Sequence, residues 1–256
     1  MSGYILCQTK RAETPYFIEA VGLNIYSMEE LCYYFSTDIP LLDESILNGG
    51  LVEWIRRELG LQGLAQKLQP LLHRNFTVRE FVFPVLREIH YLTQQEFRRL
   101  EEELSRLEKE PAPLRARRRA DALMAHKKYT KAIEAYGDVL RKNDSGSLGI
   151  QLVGNIYHNM GCAYAKLFQM EEACGCFRRA YETLHTKDAL KSCLYAVFLK
   201  DGKEAYQRLA EEFRIDPGTR RETDSRIQSI AHPDPPEDLD RALEEWTREY
   251  HRNTGM

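Results

Sequence analysis

Between Asn155 and Leu184 the chain reads NIYHNMGCAYAKLFQMEEACGCFRRAYETL, which sets His158 four residues before Cys162 and then adds Cys174 and Cys176. Imidazole and thiolate are the side chains that hold zinc and other soft metals, and neighbouring thiols can carry redox chemistry. A metal reading would need His158 and Cys162, which share one face of a helix, to join Cys174 or Cys176 across a turn. The stretch contains no CxxC pair, so neither a zinc-finger nor a zinc-ribbon spacing is present. Free cysteine also behaves as a small hydrophobe, and packing between helices is the plainer account of these thiols. No metal and no cofactor is therefore expected.

Two other groups of residues could carry function. In LRARRRA, the residues Arg115, Arg117, Arg118 and Arg119 nearly adjoin, and such a cluster suits phosphates and nucleic acid. It follows directly on EEELSRLEKE, whose acids offset much of its field, and the formal net charge of the whole chain is −3. A nucleic-acid-binding regulator that uses residues 115–119 is the alternative reading. For an enzyme, the sequence lacks GxGxxG, GxSxG, HExxH and the GxxxxGK phosphate loop, so the motifs with a known phosphate, acyl or zinc mechanism are missing. Paired acids such as Glu29-Glu30, Glu171-Glu172 and Glu211-Glu212 fall on expected helices, where sequence neighbours point apart. His90 and His126 have no partner at catalytic spacing, and the chain is expected not to be an enzyme.

The elements that must position these residues are mostly helices. Of 256 residues, 43% are hydrophobic and 29% charged, which suits a folded chain with exposed helices and argues against wholesale disorder. Strand character is confined to YILC at 4–7 and PYFIEAV at 15–21, so a small sheet element is expected there. Capping boxes at Ser27 with Glu30, Thr77 with Glu80 and Thr93 with Glu96 predict helix starts, and further starts follow Asp43 and the Asn48-Gly49-Gly50 break. In the helix from Thr93, the residues Phe97, Leu100, Leu104 and Leu107 recur on one face. Pro111 and Pro113 end it and mark the boundary of an N-terminal, mostly helical domain, 1–110. Helical character then runs to about Phe213, with breaks at Asp216-Pro217-Gly218 and HPDPPED. A linker and an amphipathic helix that carries Leu239, Leu243, Trp246 and Tyr250 on one stripe fill 214–256. No apolar run reaches the roughly 18 residues of a membrane span, the first residues lack the pattern of a secretory signal, and the expected location is the cytoplasm.

Two segments align without gaps: ADALMAHKKYTKAIEAYGDVL from Ala120 and GCAYAKLFQMEEACGCFRRAY from Gly161. A small residue (Ala120, Gly161) opens each. A larger one follows at three (Leu123, Tyr164), an alanine at twelve (Ala132, Ala173), an aromatic at sixteen (Tyr136, Phe177) and a packing residue at nineteen (Val139, Ala180). This is the pattern of two antiparallel helices, in which small residues let the backbones approach and the aromatic fills the gap to the next pair. A weaker third unit, KDALKSCLYAVFLKDGKEAYQRLAEEF, places Cys193 at the small position, Ala205 at the alanine and Asp201-Gly202 at the turn.

These segments resemble tetratricopeptide repeats, whose unit is about 34 residues of helix, turn and helix. The resemblance spans Leu114 to Phe213, and it implies an all-α chain in which residues 114–213 form a stack of three helical hairpins. The offset of 41 between the first two units is longer than the family's, so the connection NDSGSLGIQLVGN must hold extra residues or lengthen a helix. A stack of this kind presents the first helix of each hairpin along a concave face. By helical register that face offers Arg117, Arg118 and Asp121, then Asn155, His158, Asn159, Cys162 and Lys166, then Lys187, Lys191 and Leu194. Basic and amide groups in a row favour an anionic peptide segment or a chain-terminal carboxylate. The resemblance extends to co-chaperones that grip an acidic C-terminus in a carboxylate clamp, with Arg117, Asn159, Lys187 and Lys191 at matching positions. Asp121 departs from that pattern, since the family carries asparagine there. The expected function is that of a non-catalytic adaptor or scaffold that binds another protein or peptide.

Overall fold

The computed structural model describes residues 9–142, 148–231, 236 and 238–254. The expected strand at 4–7, part of the 143–155 connection and most of HPDPPED lie outside them. Among the described residues the fold is mainly α-helical, with one two-stranded antiparallel sheet. The chain divides into two compact units, Met1–Arg115 and Ala116–Met256.

In the first unit β1 (Tyr16–Ile18) pairs with β2 (Leu23–Ile25), and Ile18 and Ile25 turn inward. The helices α1 (Met28–Thr37), α2 (Gly49–Arg57), α3 (Gln62–Leu68), α4 (Val78–Glu88) and α5 (Gln94–Lys109) follow. Their starts are local chemistry. Ser27, Asn48, Thr77 and Thr93 each accept a bond from a first-turn N–H, and Thr77 with Glu80 and Thr93 with Glu96 close full capping boxes. Asp43 does not start a helix: its carboxylate is taken by the backbone N–H and the hydroxyl of Ser45, which closes a turn instead. Leu31, Phe35, Leu51, Ile55, Leu64, Phe81 and Val85 are fully buried and form the core of this unit. Across α4 and α5, Phe83 packs on Phe97 with ring centroids 4.6 Å apart, and Arg79 bonds to Glu101 and Ser105. Of the expected stripe on α5, Leu100 and Leu104 are buried, while Phe97 and Leu107 are half-buried.

The helices α6 (Ala112–Ala125) and α7 (Tyr129–Arg141) carry the first aligned segment, and α8 (Ile150–Lys166) and α9 (Met170–Leu184) carry the second. In both, nearly all the aligned positions are packed: Ala120, Ala132, Tyr136, Gly161, Ala173 and Ala180 are fully enclosed, Leu123, Val139 and Phe177 nearly so, and Tyr164 is half-buried. The turns match as well. Lys127 (φ 58°) and Phe168 (φ 59°) are both left-handed, and the following N–H reaches back to Leu123 O (2.9 Å) and Tyr164 O (3.0 Å) respectively. α8 and α9 come close enough that a Cβ on Gly161 would lie 2.7 Å from the Phe177 ring, and one on Gly154 would strike Leu184. The long connection is partly absorbed by α8 itself, which begins at Ile150.

Next, α10 (Lys187–Glu212) is interrupted at Gly202, where φ is 79°, and α11 (Pro217–Ala231) packs against it on both sides of the break. The third unit departs from the expected register. Ala205 is only half-buried, and Tyr206, Leu209 and Ala210 face the core with Cys193, Leu190 and Ile227. The break in α10 falls nine residues after Cys193, against seven between Ala120 and Lys127 or Gly161 and Phe168, so its second helix starts with a different face inward. Finally α12 (Leu239–Thr254) touches α7 and is held by Lys127 Nζ to Glu249 Oε1 at 2.7 Å. Its stripe of Leu239, Leu243, Trp246 and Tyr250 stays about half exposed. No helix among the described residues is long and apolar enough to cross a membrane.

Candidate functional site

The residues expected on the partner-binding face come from α6, α8 and the first half of α10, and the structure divides them into three groups. The first is a bonded network. Asp121 on α6 accepts from the Tyr136 hydroxyl on α7 (2.5 Å) and from Asn159 Nδ2 on α8 (3.2 Å), and Arg117 Nε lies 3.0 Å from its other oxygen. Asn159 Nδ2 also donates to the Tyr136 oxygen at 3.2 Å. Tyr136 has no exposed surface, and burial first, then the Asp121 carboxylate, push its phenol well above the usual tyrosine range. Asp121 thus neutralises Arg117 and occupies Asn159, and the network ties the first aligned helix pair to the second.

The second group surrounds His158. Its Nε2 is 3.1 Å from Ser192 Oγ on α10, its Nδ1 is 4.0 Å from Cys162 Sγ, and its ring meets Phe177 edge-on at 5.4 Å. Burial lowers the His158 pKa from its ordinary value, with Asp188 pulling the other way. A half-buried neutral imidazole held between two helices is a packing and hydrogen-bonding residue here. The thiols follow the same logic: burial raises Cys162, Cys174 and Cys176, and pushes Cys193 up to about 12. Among the described residues no group of three His, Cys, Asp or Glu side chains is arranged to hold a metal ion.

In the third group the lysines of α10 turn to α11 and the residue just before it. Lys191 Nζ donates to Glu222 Oε1 at 2.6 Å with only 19% of its side chain exposed, and Lys187 lies 3.8 Å from Asp216. Leu194, expected on the open face, is fully buried. No protein-family profile, curated protein or solved structure matches this chain. The site must therefore be read from its own chemistry.

What stays open on this face is centred on α8. Asn155 is half-buried and bonded only weakly, at 3.4 Å, to Gln151, and Lys166 is exposed at the end of the helix. Sequence reasoning placed Tyr136 as a packing aromatic and missed its hydroxyl as the centre of the network. The signal was available, since a buried tyrosine oxygen needs a partner and Asp121 and Asn159 were polar residues on adjoining helices. Glu222 and Asp216 lie beyond the aligned segments, and nothing local marks them as partners of Lys191 and Lys187. The arginine cluster is also engaged: Arg117 pairs with Asp121, and neither Arg118 nor Arg119 is without a partner.

Proposed function

We propose that residues 114–213 form a tetratricopeptide-like stack and that the chain is a non-catalytic adaptor working in the cytoplasm. It binds another protein through the open face of α8 and its neighbours. The observation that carries this reading is the repeated pair: α6–α7 and α8–α9 share buried positions and left-handed turn residues at one constant offset, and a polar network joins them. Such a unit gives a rigid platform whose side chains are fixed before a ligand arrives, which lowers the entropic cost of binding an extended peptide. Asn155 and Lys166 supply amide and cationic contacts, and Lys187, 72% exposed, extends them. An anionic peptide segment, above all one ending in a free carboxylate, is the ligand chemistry these groups suit. A four-point clamp is less favoured than a two- or three-contact grip, because Arg117, Asn159 and Lys191 are already bonded within the protein.

The nucleic-acid reading is the weaker one, since Arg117, at the centre of the cluster on which it rests, is paired with Asp121. The test passes cell lysate over the immobilised chain and over an Asn155→Ala/Lys166→Ala variant of equal melting temperature. A protein held by the first and lost from the second supports the adaptor. Retention of nucleic acid that disappears with modest salt transfers the function to the arginine cluster.

A further inference from the structure

The first unit holds a separate cavity of about 460 Å³ at the corner where α4 ends and α5 begins. We propose that it binds a carboxylate carried on an apolar group, with Arg87 and Arg98 gripping the carboxylate and Leu86, Leu92 and Phe97 receiving the apolar part. Its size falls in the range of small-molecule pockets, and its lining mixes the apolar Leu86, Leu92 and Phe97 with polar and charged side chains.

Arg87 is the decisive residue. Its guanidinium sits over Phe97 at 4.8 Å and over Phe83 at 5.8 Å, and those two rings pack on each other. A guanidinium carbon held over aromatic rings keeps its N–H groups for a carboxylate, which they can grip with two parallel bonds. Neither Arg87 nor Arg98 forms an ion pair with any described residue, so two guanidiniums line one cavity without an anion bonded to them. His90 adds to the rim from a left-handed backbone position (φ 51°), and Gln94 adds an amide at the first turn of α5.

Glu101 also lines the cavity, with its carboxylate bonded to Arg79 at 3.1 Å. With Glu101 paired to Arg79, the charge left for an incoming ligand is that of Arg87 and Arg98, and the apolar side chains of Leu86, Leu92 and Phe97 favour an organic carboxylate over inorganic phosphate. Two sources share this chemistry: a free aliphatic or aromatic acid, and the C-terminus of a chain whose last residue is apolar. The cavity lies wholly within Met1–Arg115, so its role does not rest on the adaptor reading.

The experiment titrates the full chain into 4-fluorophenylacetate and follows the fluorine resonance, with 4-fluorophenylacetamide as the neutral twin. The acid is expected to bind at least about tenfold tighter than the amide, and Arg87→Gln and Arg98→Gln each to weaken it about fivefold or more. Arg87→Lys, which keeps the charge and loses the planar fork, is expected to weaken it as well. Competition then separates the sources. A peptide ending in phenylalanine that displaces the probe at lower concentration than unlabelled phenylacetate assigns the site to chain termini, and the reverse order assigns it to small acids. Equal binding of acid and amide overturns the proposal, as does displacement by inorganic phosphate as effective as by phenylacetate. Full affinity in both glutamine variants, with their melting temperatures unchanged, overturns it too.

Discussion

The α8–α9 contact can be tested with two glycines that lie in the same helix pair. A Cβ placed on Gly161 would sit 2.7 Å from two carbons of the Phe177 ring and 3.0 Å from a third, closer than real Cβ atoms come. Phe177 is only 5% exposed and rests against His158, so the ring has little room to retreat. On Gly175, exposed on α9, a Cβ would meet nothing within 4 Å. Changing either glycine to alanine gains the same helix propensity, about 1 kcal/mol. The overpacking cost of about 1–3 kcal/mol falls on Gly161 alone. Gly175→Ala should therefore stabilise the chain by about 1 kcal/mol, while Gly161→Ala is neutral or destabilising by up to about 2 kcal/mol. The gap between the variants is the clash itself, because the propensity gain cancels. At about 2–4 °C per kcal/mol for a protein of this size, a gap of about 2 kcal/mol separates their melting temperatures by about 4–8 °C. Urea titrations and thermal melts of both variants, with Gly161→Ala/Phe177→Leu as the relief variant, give the numbers. If Gly161→Ala stabilises as much as Gly175→Ala, the close approach of α8 and α9 is wrong.

Tyr136→Phe removes the hydroxyl that joins Asp121 and Asn159 and should cost about 1–2 kcal/mol in urea denaturation. The folded-state pKa of Tyr136 is raised, so the native chain holds its proton longer than the unfolded one. Stability is then full below the unfolded value of about 10 and falls as pH rises past it, and Tyr136→Phe should flatten that alkaline limb. For His158 the sign is opposite: burial lowers its pKa, the unfolded chain binds the proton first, and stability falls as pH drops below about 6.5. His158→Gln should flatten the loss seen between urea midpoints at pH 7.5 and pH 5, and an unchanged slope would count against the burial of this ring. Cys32 and Cys193 are buried with raised pKa values, so both should react slowly with a thiol reagent at neutral pH and rapidly in urea. Fast native labelling of Cys193, located by peptide mapping, would contradict its packing.

The legible parts of this fold are those decided by a few neighbouring residues. Thr77 and Thr93 announce their helices because a hydroxyl three residues before a glutamate closes a bonded loop whatever lies around it. Spacing alone exposes the pair of Ala132 and Ala173 and that of Tyr136 and Phe177, since packing of one helix pair on the next demands small and aromatic residues at fixed steps. α3 escaped notice because Leu61, at its start, offers no side-chain cap. In the third unit the Asp201-Gly202 turn could be read, but its place two residues late could not be converted into a register. The face of the following helix depends on how the chain leaves the left-handed Gly202. The polar face of α8 was equally visible, yet which of its groups stay open was not. Lys191 pairs with Glu222 on α11 and Lys187 with Asp216 just before it, each more than 25 residues away in sequence, and Asp121 reaches Tyr136 and Asn159 on two other helices. Helical periodicity assigns a side chain to a face, and only tertiary packing assigns it a partner.

The most direct test of the adaptor reading is a fluorescence-anisotropy titration with a labelled acidic peptide in two forms, one with a free C-terminal carboxylate and one amidated. It is run against the wild-type chain and against Asn155→Ala/Lys166→Ala. The account predicts saturable binding of the free-carboxylate peptide, at least about tenfold weaker for the amide and for the variant, with the melting temperature of the variant unchanged. Equal affinity across all four combinations, or no binding of either peptide to the wild type, would contradict it.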